Sequence, residues 1–150
     1  MIAFSPTVAT EFVHQSVPAI GRLGVVVEEI GAGSVVLRVP IAGNANHMGT
    51  MYAGALFALA ELPGGLLPLA ALEPGRYTPI VTTMEVAFVA AARTDITLSA
   101  RMDPAELAEL ARRVDADGMA EFTLDLHGED ANGRTVITSR AHYQLRPNRG

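Results

Sequence analysis

The stretch NHMGTMYAGALFALAELPGG, Asn46 to Gly65, holds one formal charge, Glu61, among residues that are otherwise small or apolar. Ionised carboxylates are almost never fully buried unless they are paired or used. A carboxylate in a helix built for burial is a candidate functional group. Its plainer reading is a residue facing water at a helix end, or one paired with a neighbouring arginine. Ahead of it, Gly49, Ala53, Gly54 and Ala55 strip the helix start of bulk. The first turn of a helix has unpaired N–H groups at the positive end of its dipole. With small residues around them, such donors can polarise a carbonyl, as an oxyanion hole does. Small residues serve close packing against a sheet equally well. Asn46 and His47 occupy the preceding loop, where Asn46 can orient water or a carbonyl, or simply brace a turn. His47 is a candidate substrate contact. Gly54 and Glu61 are seven residues apart on one helix face, about 10.5 Å along the axis. That is too far for both to serve one carbonyl in a single chain. In a two-fold dimer with antiparallel helices, Glu61 of one chain faces the helix start of the other.

Other chemistries find little support. There is no cysteine, hence no thiol nucleophile and no Cys-based metal site. His14, His47, His127 and His142 show no metal-ligand spacing, so no metal is expected. There is no GxGxxG after a strand, no P-loop and no serine elbow. The net charge of -5 argues against a nucleic-acid partner. All basic residues are arginine. Arg93, Arg101, Arg112, Arg113 and Arg140 are phosphate-fork candidates, each equally a solvated surface charge.

The elements that must position these residues are legible from periodicity. Thr7 to Ile20 suits a short leading helix, and Leu23 to Ile30 and Ser34 to Ile41 two strands joined by Gly31-Ala32-Gly33. Gly43 to Gly49 reads as a loop, with Thr50 or Gly49 as cap for a long apolar helix from Met51 to Leu72. Ile80 to Val89 and Asp95 to Met102 read as strands, followed by a helix capped by Asp103 with Pro104 in its first turn. Met119 to His127 and Thr135 to Leu145 alternate as strands around Asn132-Gly133, a strong hairpin turn. A sheet of this size needs one face covered, and only the Met51–Leu72 segment is apolar enough to do it. The expected architecture is α+β, one sheet wrapped around one central helix.

A chain of 150 residues, 49% hydrophobic and 18% charged, suits one folded domain over residues 1–150. The leading run lacks a basic n-region and a long apolar core, so no signal peptide is expected. The Met51–Leu72 segment has the length of a membrane span, but Pro63, Gly64, Gly65 and Pro68 interrupt it and no arginine cluster flanks it. A cytoplasmic protein without a membrane span is the expectation.

Asn46, Tyr52-Ala53-Gly54 and Glu61 together form a recognisable order. The chain resembles the hotdog-fold acyl-CoA thioesterases of the phenylacetate-pathway type, and more closely the thioesterase-like branch called domain of unknown function 4442. That pattern has an Asn, a loop, His-Gly-Gly opening the central helix, and an acidic residue eight positions after the first glycine. Here Tyr52 and Ala53 stand where the His and the first Gly stand, and Glu61 is the acid. The resemblance continues through TTMEVAFVAAARTDITLSARM (Thr82 to Met102) and EDANGRTVITSRAHYQLR (Glu129 to Arg146).

It implies a hotdog fold, a homo-oligomer (dimer or dimer of dimers) and hydrolysis of an acyl thioester. Coenzyme A would be part of the substrate, with no separate cofactor. Glu61 would be base or nucleophile, the N–H of Ala53 and Gly54 would polarise the carbonyl across the interface, and Asn46 would position water or the carbonyl. His47, Tyr52, Gly54, Phe57 and Thr83 would contact substrate, with Leu56, Phe57, Phe88 and Val89 lining the acyl group. Two alternatives remain: a non-catalytic acyl-CoA-binding module, and an enoyl-thioester hydratase or dehydratase working through His47.

Overall fold

The computed structural model describes residues 4–150. Met1–Ala3, where the leading run examined for a signal peptide begins, lie outside the described residues. The leading helix is two helices, α1 (Pro6–Ser16) and α2 (Pro18–Leu23). Ser5 caps α1 by accepting the Val8 N–H, and Pro18 has no N–H with which to continue it, so it opens the next helix instead. Gly24 then reverses the chain at a left-handed φ of 73°. This moves the start of the first strand from Leu23 to Val26.

The strands are β1 (Val26–Gly31), β2 (Ser34–Val39), β3 (Tyr77–Phe88), β4 (Ile96–Arg101), β5 (Ala120–Glu129) and β6 (Thr135–Pro147). They form one antiparallel sheet in the order β1-β2-β4-β5-β6-β3. All six expected strands hold to within three residues at each end. Helix α5 (Pro104–Asp117) is capped by Asp103, which accepts the Ala105 N–H at 2.8 Å. β3 begins three residues earlier than its apolar run suggests, taking in Pro79. A proline fits there because, among the described residues, β3 pairs only with β6 and is an edge strand.

The sheet wraps a central helical run of two consecutive segments, α3 (Ala53–Glu61) and α4 (Pro63–Ala71). Ala53–Ala71 is long and apolar enough to cross a membrane by length and composition, yet most of it is buried here as the core helix. Leu59 and Leu67 are fully buried, opposite Leu37, Leu98 and Leu145 of the sheet. Pro63 explains the break, since it cannot donate within the helix. The Gly65 N–H bonds the Leu62 carbonyl at 3.0 Å. The Glu61 carbonyl instead accepts the Tyr143 hydroxyl at 2.8 Å. Tyr143, stacked on Phe122 at 5.0 Å, lies so close to Gly64 that a Cβ there would overlap its ring. This wrapped sheet with one central helix is the hotdog fold.

Candidate active site

The helix start is not capped by Thr50 or Gly49. The N-cap is Tyr52, whose side chain makes no capping hydrogen bond. Thr50 is engaged in the loop instead: its carbonyl accepts the Asn46 N–H at 2.7 Å and its hydroxyl accepts the Asn46 Nδ2 at 3.0 Å. The loop is stapled on both sides, with the Met51 N–H on the Ala92 carbonyl and the Tyr52 N–H on the Asn44 carbonyl, each at 2.8 Å. Asn44, unremarked in the sequence, is the buried anchor: its Nδ2 donates to the Leu23 and Pro40 carbonyls at 2.7 and 2.8 Å. No local signal distinguishes it from Asn46, because the carbonyls it satisfies come from other parts of the chain.

Ala53 and Gly54 therefore occupy the first two helical positions, where a backbone N–H has no acceptor within the helix. Ala53 is exposed and Gly54 partly so. The Tyr52 ring folds back over Gly54, so that a Cβ there would overlap it. Ala53, Phe57 and Glu61 follow one another at four-residue intervals along one face. Phe57 is 43% exposed, so this face is left uncovered by the sheet of its own chain.

Glu61 is partly buried and makes no side-chain hydrogen bond or ion pair among the described residues. Burial raises its carboxyl above the ordinary value of 4.5. It is one wall of a largely apolar cavity of about 670 Å³ that also touches Val13 of α1, Leu66 and Leu69 of α4, and Pro79 of β3. This cavity is not lined by the apolar residues expected from the sequence: Phe88 and Val89 are 51% and 54% exposed at the end of the edge strand, and Leu56 is buried in the core. Which apolar residues line a cavity depends on the wrapping of the sheet, not on local pattern.

The structure brings Asn46, His47, Tyr52, Ala53, Gly54 and Phe57 to the exposed helix start and its loop. The Asn46 Oδ1 accepts the Met48 and Thr50 N–H groups at 2.9 and 3.2 Å, so this side chain braces the turn. His47 is exposed. Thr83 is not brought to the helix: it pairs with His142, and both lie on the outer face of the sheet beside Thr123. A bulge between Val81 and Thr83 sets that register. His142 bonds Thr123 through Nδ1 at 2.9 Å, and His127 bonds Glu129 at 3.0 Å. Among the phosphate-fork candidates, Arg140 pairs with Asp125 at 2.7 Å and Arg112 with Glu109 at 2.6 Å, all on the surface.

Comparison with known proteins bears on the whole chain. The structure is similar to that of a probable thioesterase of unknown function from Pseudomonas aeruginosa, with 40% identity, a TM-score of 0.90, and coverage of 97% of this chain and 98% of that one. A thioesterase from Haemophilus influenzae shares the fold at 16% identity, TM-score 0.76, covering 99% of this chain and 95% of that one. A protein of unknown function from Chlorobaculum tepidum does so at 16% identity, TM-score 0.79, covering 97% and 99%. None of the curated proteins matches the chain. The family described as Domain of unknown function (DUF4442) matches residues 7–145, nearly the whole length of the chain. This protein belongs to the DUF4442 family and carries it on a hotdog fold.

Proposed function

We propose that this protein hydrolyses acyl thioesters, with Glu61 of one subunit acting on a carbonyl polarised by the helix start of its partner. One observation carries the reading: an uncapped helix start and an unpartnered, desolvated carboxylate share the single helix face that its own sheet leaves open. The thioesterase names borne by the Pseudomonas aeruginosa and Haemophilus influenzae proteins support the reaction class.

As general base, Glu61 takes a proton from water while the water oxygen bonds the carbonyl carbon. The oxyanion formed is held by the Ala53 and Gly54 N–H groups. Collapse breaks the carbon–sulfur bond, the electron pair leaves on sulfur, and Glu61 returns the proton to the thiolate. As nucleophile, the Glu61 carboxylate would bond the carbonyl carbon itself, and the carbon–sulfur bond would break with its electron pair leaving on sulfur. The thiolate would take a proton from water, and water would then cleave the anhydride to the free acid and the Glu61 carboxylate. Single turnover in 18O-water separates the two, since only the nucleophilic route places label in Glu61. Asn46 is a positioning residue that holds the loop feeding the helix start. Coenzyme A, or another pantetheine thiol, enters as part of the substrate.

The deciding experiment is free-thiol release from a panel of acyl-CoA esters by wild type and Glu61→Gln. Turnover that falls about a hundredfold or more in the variant is the expected result for lost acid–base catalysis. Equal turnover by both overturns the role of Glu61. A second reading, acyl-CoA binding without turnover, is favoured by the Tyr52 ring lying across Gly54. Tight binding with no thiol release from any ester would select it.

A further inference from the structure

We propose that the cavity between α1 and α4 is the acyl pocket and takes a linear, uncharged acyl chain of roughly ten to fourteen carbons. The inference rests on the thioesterase reading and names the substrate class of that site. The central-helix side of the cavity runs from Glu61 at the end of α3 past Gly65 and Leu69 of α4 to Leu72 just beyond it, at successive turns. From Glu61 to Leu72 a helix rises about 16 Å. An extended chain of carbon–carbon bonds of about 1.5 Å at angles near 111° advances about 1.25 Å per carbon, so about thirteen carbons span that distance. A volume of about 670 Å³ lies within the usual size of a small-molecule site.

The wall chemistry is mostly apolar and disfavours an anionic occupant. Among the described residues, its charged side chains are Glu61 and Glu73. Glu73 is paired with Arg76 at 3.0 Å, and Arg76 reaches Asp115 at 2.8 Å. The Tyr77 hydroxyl also donates to Asp115, at 3.0 Å. These bonds tie the far end of the cavity to α5 and leave Glu61, among the described residues, as the cavity's unpaired carboxylate, where a thioester would end. Gly65 keeps the space open one turn beyond Glu61. Its φ is not positive, so the backbone does not require glycine. A Cβ there would meet only the Pro79 ring, at 4.0 Å. Gly64 next to it, by contrast, is packed against Tyr143. The empty side is the one facing the cavity.

The test compares wild type, Gly65→Ala and Gly65→Leu in two assays: hydrolysis of butyryl-, dodecanoyl- and hexadecanoyl-CoA, and calorimetric binding of dodecyl-CoA thioether, which cannot be hydrolysed. Wild type is expected to prefer dodecanoyl-CoA. Gly65→Leu should lower the dodecanoyl-to-butyryl ratio of kcat/KM at least tenfold and weaken the thioether at least tenfold, with Gly65→Ala between. Leu69→Phe, filling the same space one turn further on, repeats the test if Gly65→Leu does not fold. An unchanged chain-length profile and thioether affinity in a folded variant overturn the pocket while leaving the hydrolase standing. Thioether binding that Gly65→Leu abolishes, with no hydrolysis by wild type, upholds the pocket and overturns the hydrolase.

Discussion

Glu61 is held in a state that favours chemistry at the cost of stability. Burial is the sole cause that raises its carboxyl above 4.5, with no basic partner to oppose it. Between the ordinary carboxylate value and the raised one, the folded chain keeps a proton that the unfolded chain has released. Stability therefore falls as pH rises through that window. Glu61→Gln removes the penalty. Thermal melts should show the variant and wild type alike near pH 4 and the variant higher by a few degrees near pH 8. A variant that melts lower at pH 8 would mean that the carboxylate has a stabilising partner. The same raised value places the rising limb of the pH–rate profile above the ordinary carboxylate range. The oddity of this residue was plain from composition alone, because one charge in an apolar helix is visible without coordinates. Its lack of a partner was not, since any of the arginines was free to meet it.

At the scale of the element, the central helix depends on the junction at Pro63. The Glu61 carbonyl, which would otherwise be left without a partner, is satisfied by Tyr143 from β6. Tyr143 reaches it only because Gly64 has no side chain. Gly64→Ala forces a methyl group into the Tyr143 ring and should cost about 1–3 kcal/mol from overpacking, read as a lower midpoint in urea denaturation. Gly65→Ala, on the open side, should instead gain up to about 1 kcal/mol from helix propensity. Equal effects at the two positions would refute the packing described here. The two glycines are indistinguishable as a dipeptide. One is needed for contact and the other leaves a void, and only the β6 register separates them.

At the scale of the molecule, β3 presents twelve residues of edge strand, with Ile80 and Phe88 exposed along it and Val89 exposed just beyond its end. A long edge with exposed apolar residues invites pairing with another chain. The site proposed here requires a second copy of the chain. Ala53→Pro tests it, because proline is well tolerated at the first position of a helix and removes only the N–H. Its kcat should fall about a hundredfold to a thousandfold, the usual cost of losing one oxyanion donor. Mixed with Glu61→Gln and allowed to exchange subunits, it should regain activity, since each hybrid dimer contains one intact site. No recovery on subunit exchange would place both groups in the same chain, or outside the reaction.

The sequence by itself determined the number and order of strands, the apolar central helix, the hairpin at Asn132-Gly133 and the isolation of Glu61. These follow from periodicity, turn residues and composition, which are local properties of the chain. It also displayed the order of Asn46, the small helix start and Glu61. Only the tertiary structure decided that Tyr52 opens the helix, that Asn46 braces its own loop while Asn44 anchors it, and that Thr83 faces outward. It alone placed the half-open apolar cavity between α1 and α4 and not beside Phe88. Apart from the local turn that Asn46 braces, these depend on carbonyls, rings and sheet registers contributed largely by residues distant in sequence. No local pattern records which of two neighbouring asparagines, or of two neighbouring glycines, such a partner will meet.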